Sequence, residues 1–188
     1  MLGEEIALNG EVTFISLFYD VPLFILLTIT AYTDLAHHKI HNWLTLPMII
    51  VGFTLHAAIG GFPELTNSLL GFFIGVGIFS VAYFVGGVGG GDVKLIAAIG
   101  ALGGYVFVIW AIFYSALIGG LMALLVLIWK GKLSFGIKQT ASLFARVFTG
   151  KQNNIKTGGE NFQEIPYGFA IALGTFWVLM DRYLWSHG

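Results

Sequence analysis

The sequence predicts an all-α integral membrane protein with six transmembrane helices, the fourth of them short. Three observations predict it. Of 188 residues, 57% are hydrophobic and only 10% are charged, against about 25% charged in soluble domains. The mean hydropathy is +0.86, and a core of this size cannot hide that much apolar surface, so the solvent must be lipid. The apolar residues also fall into long runs, several of which match the roughly 20 residues needed to cross a bilayer.

The first run covers 16–35, with "VPLFILLTITAYTDL" at its centre. The segment before it, "MLGEEIALNGE", is acidic and lacks the positive start of a signal peptide, so this run is expected to stay in the mature protein. The second covers 43–59 and the third 65–85. The fourth, "DVKLIAAIGAL", opens at Asp92 and is too short for a full crossing, so it reads as a half-helix entering from one face. Gly103 and Gly104 break it from the fifth run, 105–129, and the sixth covers 165–184. Between them lies the longest polar stretch, 130–164. Within it Ile137, Phe144 and Phe148 recur at helical spacing opposite Lys138 and Arg146, which predicts an amphipathic helix on the membrane surface. Residues 150–164 read as loop. The whole chain, 1–188, is expected to form one domain.

Lysine and arginine set the orientation. The 130–164 stretch holds Lys130, Lys132, Lys138, Arg146, Lys151 and Lys156, so it is placed in the cytoplasm. Six crossings then put the loop "HHKIHN" (37–42) with Lys39, and the glycine run with Lys94, on the same side. Only Arg182 falls on the opposite face, with Glu4, Glu5, Glu11, Asp20 and Glu64. Both termini are therefore expected outside a cytoplasmic (inner) membrane. The net charge of −1 gives no sign of a nucleic-acid partner. With no cysteine, disulfides, thiol catalysis and zinc–thiolate sites are excluded.

Against this apolar background two carboxylates stand at the cytoplasmic ends of apolar runs. Asp34 closes the first and Asp92 opens the fourth, directly after "GGVGGG" (86–91). A carboxylate at membrane depth costs roughly 2.5–3.5 kcal/mol on insertion scales and marks a functional hypothesis by default. Two acids at one depth can share a proton, one activating water while the other polarises a carbonyl. That chemistry needs no metal or cofactor, and neither is expected. The structural alternatives are a helix N-cap for Asp92 and a loop-bonded interfacial residue for Asp34. The flexible glycines favour function, because they let a backbone approach the acid or let the acid move. From helix dipoles alone, Asp92 at a helix N-terminus reads as the ionised base and Asp34 at a helix C-terminus as the proton holder.

These segments resemble a known family. "GGGDVKLIAAIGA" (89–101) looks like the GxGD motif of type IV prepilin peptidases, through Gly89, Gly91 and Asp92. "DLAHHKIHNWLT" (34–45) resembles that family's first aspartate motif through Asp34, Ile40 and Asn42, with His41 where proline is usual. "IPYGFAIALG" (165–174) resembles its late proline–glycine motif through Pro166 and Gly168, with Phe169 where a second proline is frequent. The resemblance implies a membrane aspartic endopeptidase. Such an enzyme removes the short basic leader from prepilins or pseudopilins at the cytoplasmic membrane face, with Asp34 and Asp92 catalytic. The cysteine-bearing extra domain of many methylating members is absent, so the resemblance is to short, peptidase-only forms such as those of tight-adherence pilus systems. The implied partners are the prepilin or pseudopilin substrate and membrane lipid.

Other residues have plainer readings. Lys94 is about 200° around a helix from Asp92 and reads as an interfacial lysine snorkelling to the surface, or as a contact to substrate or lipid. His37, His38 and His41 cannot easily converge on a metal from one short loop, and no metal site is expected. His56 reads as a hydrogen-bonded helix residue. Gly71 with Gly75, and Gly100 with Gly104, have the spacing for close helix packing. Pro166 is expected to start the last helix or to shape the substrate cleft. Asn42 either caps the second helix or orients Asp34. The competing function is a small proton-coupled transporter or channel, but no internal repeat is visible and both acids lie near one interface rather than at the midplane.

Overall fold

The computed structural model describes residues 2–38, 40–85, 88–129 and 167–185. The 130–164 stretch with its expected surface helix, Pro166, Lys39, Gly86 and Gly87 lie outside the described residues. The described chain is helical: α1 (Leu2–His37), α2 (Asn42–Val85), α3 (Gly90–Trp129) and α4 (Tyr167–Trp185). Three stretches are long and apolar enough to cross a membrane: Leu17–His37, Asn42–Phe84 and Gly90–Val126. The first helix starts at Leu2, and its membrane-capable part begins at Leu17, where the first apolar run does. Nothing in 2–16 forbids helix, since the first proline is Pro22, and a helix need not end where its apolar run does.

The second and third expected helices are the two halves of α2. They part at Gly61, whose φ of 65° and ψ of −154° are open to glycine and strained for other residues, two residues before Pro63. The expected break between the fourth and fifth is also present, at Gly104, with φ 80° and ψ 179°. At 1.5 Å per residue the segment 90–103 rises about 21 Å, short of the roughly 30 Å hydrocarbon core.

A helix that breaks in apolar surroundings leaves main-chain groups that must find partners. Here α2 supplies them. The Ser68 hydroxyl donates to the Ala101 carbonyl, His56 Nε2 bonds the Leu102 carbonyl at 3.1 Å, and Asn67 Oδ1 accepts the Tyr105 N–H at 3.1 Å. His56 is thus the hydrogen-bonded helix residue the sequence suggests, buried with its ring stacked on Tyr19 at 4.4 Å.

The half-helix 90–103 is the centre of the molecule. Leu95, Ile96, Ile99 and Leu102 are fully enclosed, together with Leu23 and Leu26 of α1 and Ile171 of α4. Both halves of α2 pack against it through glycines. A Cβ on Gly52 would lie 2.7 Å from the Ala101 main chain, and one on Gly75 would lie 2.9 Å from the Ile96 carbonyl oxygen. Gly71 and Gly100 face each other, each blocking a Cβ on the other with main-chain atoms. The two glycine pairs therefore serve close packing, as their spacing predicts.

Helix α4 runs antiparallel to α1. Phe169 meets Asp34, Phe176 meets Phe24 with centroids 6.1 Å apart, and Arg182 meets Asp20 at 3.2 Å. Arg182 also lies over the Phe107 ring at 5.0 Å. Asp20 and Arg182 thus close the end of the bundle opposite Asp34.

Candidate active site

Three helix ends converge on the mouth of the bundle, and each places one part of the site. Helix α1 closes with His38 in the left-handed region (φ 50°), its N–H donating to the Asp34 carbonyl at 2.9 Å. The chain restarts at His41, whose carbonyl accepts the N–H groups of Leu44 (3.1 Å) and Thr45 (3.4 Å). His41, not Asn42, is therefore the N-cap of α2. Asn42 Oδ1 instead accepts a hydrogen bond from Lys94 Nζ at 2.8 Å, so the capping reading of Asn42 does not hold. Lys94 is exposed as expected, but its head is tied to the start of α2.

At the start of α3 the Gly89 carbonyl accepts the N–H of Asp92 (3.1 Å) and of Val93 (3.4 Å). Asp92 Oδ2 accepts the Gly89 N–H in return, at 2.8 Å. The Asp92 side chain supplies one half of a capping box, with glycine as the cap. Asp92 is thus three residues inside the cap rather than the cap itself. A Cβ on Gly89 would sit 3.3 Å from that oxygen, so glycine there keeps the approach free.

At the start of α4 the Phe169 N–H donates to Asp34 Oδ2 at 2.8 Å. Main-chain N–H groups in a helix's first turn have no partner within the helix, and this one is given to a carboxylate 135 residues away. Gly168 makes room, since a Cβ there would lie 3.0 Å from Asp34 Cγ and Oδ2. The dipole argument that set the two acids apart therefore loses its premise. Each carboxylate accepts an N–H at a helix N-terminus, a setting that favours an anion.

Ile40 joins the two halves of the site. Its Cβ would be 3.0 Å from a Cβ on Gly91, and its Cδ1 3.0 Å from a Cβ on Gly168. One apolar side chain therefore fills the space between the glycine beside Asp92 and the glycine beside Phe169. Asp34 and Asp92 are 6% and 7% exposed. Among the described residues, hydrogen bonds engage Oδ2 of each and leave both Oδ1 atoms for chemistry.

The structure thus brings together Asp34, Ile40, Gly89, Gly91, Asp92 and Gly168, with Asn42 and Lys94 at the rim. Sequence reasoning missed two neighbours. Phe169 acts through its main chain, which no side-chain pattern reveals, although a first-turn N–H is a general signal. Tyr167 packs its ring on Gly119 and lies within electrostatic reach of Asp92; it sits between the two matched motif positions, Pro166 and Gly168. For the Lys94–Asn42 bond, Lys94→Met and Asn42→Ala are each expected to lower stability by about 0.5–1 kcal/mol. The double variant should be little worse than either single one. Unfolding in detergent measures this, and fully additive losses would show that the pair does not act as a unit.

No curated protein and no solved structure matches the chain. Residues 21–124, more than half of the chain and including both aspartates, match the type IV leader peptidase family, a family of proteases, and the chain belongs to it.

Proposed function

We propose that this protein is a membrane aspartic endopeptidase that removes the short basic leader of prepilins or pseudopilins at the cytoplasmic face of the membrane. The observation that carries this reading is the pair of buried carboxylates, each held through Oδ2 by a main-chain N–H at a helix N-terminus, with Ile40 between their supports. One carboxylate, ionised, takes a proton from water as the oxygen attacks the scissile carbonyl. The other, protonated, donates to the carbonyl oxygen, giving a gem-diol. Collapse of the gem-diol breaks the C–N bond as a proton passes to the departing amine, and the dyad returns to one proton shared between two carboxylates. Gly61 and Gly104 would let α2 and α3 each cross twice, which with α1 and α4 makes six crossings. The bias of lysine and arginine then puts the dyad on the cytoplasmic side and both termini outside.

The reading is tested with the purified protein in detergent and a synthetic peptide carrying a basic leader followed by about 20 apolar residues. Mass spectrometry is expected to show a single cut ahead of the apolar segment. An intact peptide after prolonged incubation, alongside proton flux in vesicles, would transfer the case to the transporter.

A further inference from the structure

Hydrolysis consumes one water for every bond cut, and the bilayer core offers none. Both aspartates are nearly enclosed, so their site must hold its water. Two threonines behave as if they do so. Thr28, Thr33, Thr54, Thr66 and Thr175 each turn the hydroxyl back to a carbonyl three or four residues earlier in their own helix. Thr30 and Thr45 do not. Both are 0% exposed, and among the described residues neither hydroxyl has a hydrogen-bond partner. Enclosed polar groups of native proteins are bonded to protein or to ordered water. Both threonines lie beneath the aspartates. Thr30 is one helical turn before Asp34 on the same face of α1, which sets their Cβ atoms about 5–6 Å apart, a span that one water bridges. Thr45 is two turns before Gly52 on the same face of α2, and a Cβ on Gly52 would lie 2.7 Å from the Ala101 main chain. Thr45 also follows Asn42, which Lys94 holds at the mouth. It therefore faces the half-helix 90–103 between those two contacts, close to the turn that opens with Asp92. A further unpartnered atom, His41 Nδ1, stands at the cap of α2 just above.

We propose that the Thr30 and Thr45 hydroxyls hold ordered water directly beneath Asp34 and Asp92, and that the attacking water is drawn from this site. It rests on the peptidase reading above for the use of the water and deepens that reading by naming the residues that bring the nucleophile. A buried water makes about three hydrogen bonds. Two hydroxyls and the Oδ1 atoms of the aspartates, which the described hydrogen bonds leave free, provide that number. A hydroxyl both donates and accepts, so it binds water whichever carboxyl carries the proton. The two threonines thus serve turnover rather than packing. Valine has nearly the shape of threonine, and replacing a hydroxyl that bonds nothing by an apolar group of that shape costs little stability.

Water-edited solid-state NMR of the isotope-labelled protein in lipid bilayers tests the site without substrate. Magnetisation that starts on water is expected to reach the Thr30 and Thr45 Cβ signals well before that of Thr175. Thr175 is equally enclosed but gives its hydroxyl to the Ile171 carbonyl at 2.8 Å. Thr30→Val and Thr45→Val assign the two signals by deleting them. Signals that rise no faster than that of Thr175 overturn the proposal. In cleavage of the leader peptide, each valine variant is expected to lose about three- to tenfold in kcat. KM should be little changed and unfolding should occur near the wild-type temperature. Thr30→Ser and Thr45→Ser, which keep the hydroxyl, should retain most of the activity, and Thr175→Val should cleave as wild type does. Valine variants with wild-type kcat overturn the proposed water supply, and so do serine variants as slow as the valine ones. Failure of the peptidase reading looks different. An uncut leader peptide, or cleavage by Asp34→Asn or Asp92→Asn, defeats the mechanism, while early Thr30 and Thr45 signals still establish the water site.

Discussion

Replacing either Asp34 or Asp92 by asparagine is expected to lower leader cleavage by about a thousandfold or more, with the protein still folded and membrane-inserted. Asparagine has the same shape as aspartate. Its carbonyl oxygen can accept the N–H that Oδ2 now accepts, from Phe169 or from Gly89, so the helix ends stay joined. What asparagine cannot do is take or give a proton at the pH of the reaction. General acid–base transfer by one group contributes typically 10²–10⁴-fold, and here both halves of the transfer fail when either partner is lost. Because those two N–H bonds can be kept, thermal unfolding in detergent should occur near the wild-type temperature. A variant that unfolds normally and keeps a tenth of the wild-type turnover would rule out a two-carboxylate mechanism.

The second large effect concerns stability. Gly100→Ala is expected to destabilise the protein by roughly 3 kcal/mol, the upper range for overpacking. The added Cβ would run into the Gly71 carbonyl and the Phe72 nitrogen. These are main-chain atoms in a neighbouring helix, so no rotamer change relieves the clash, and the second half of α2 must move off the half-helix 90–103. Gly120→Ala is the control. It has no atom within 4 Å of its would-be Cβ, so the change should be neutral or stabilising by up to about 1 kcal/mol through helix propensity. Unfolding temperatures of the two variants measure the contrast, and a Gly100→Ala protein as stable as Gly120→Ala would contradict the close crossing.

Much of this was readable in the sequence, for identifiable reasons. The break at Gly104 follows from a glycine pair interrupting a short apolar run. The placement of Asp34 and Asp92 at the same mouth of the bundle follows from their shared depth in a chain that excludes charge nearly everywhere else. The role of Gly168 could be matched by motif but not explained, because its meaning lies in a carboxylate that approaches from α1. The bond between Lys94 and Asn42 joins residues 52 apart, and the periodicity of a single helix shows only where Lys94 points, not what awaits it. Phe169 was visible only as a departure from the proline frequent at that position, because its main-chain N–H is a group that every residue but proline carries. The first apolar run was legible because hydropathy marks where a membrane begins, whereas the extension of α1 back to Leu2 was not, because a helix ends where its hydrogen bonding does.

The bond from Phe169 to Asp34 also has a consequence in time. The chain is made from its N-terminus, so Asp34 leaves the ribosome well before its partner exists. At 5–20 residues per second, the 135 residues between them correspond to a wait of roughly 7–27 s. Through that interval Asp34 and Asp92 are both synthesised while the helix that holds Asp34 is not. A nascent chain therefore carries both aspartates before α4, whose N–H holds Asp34, has been made.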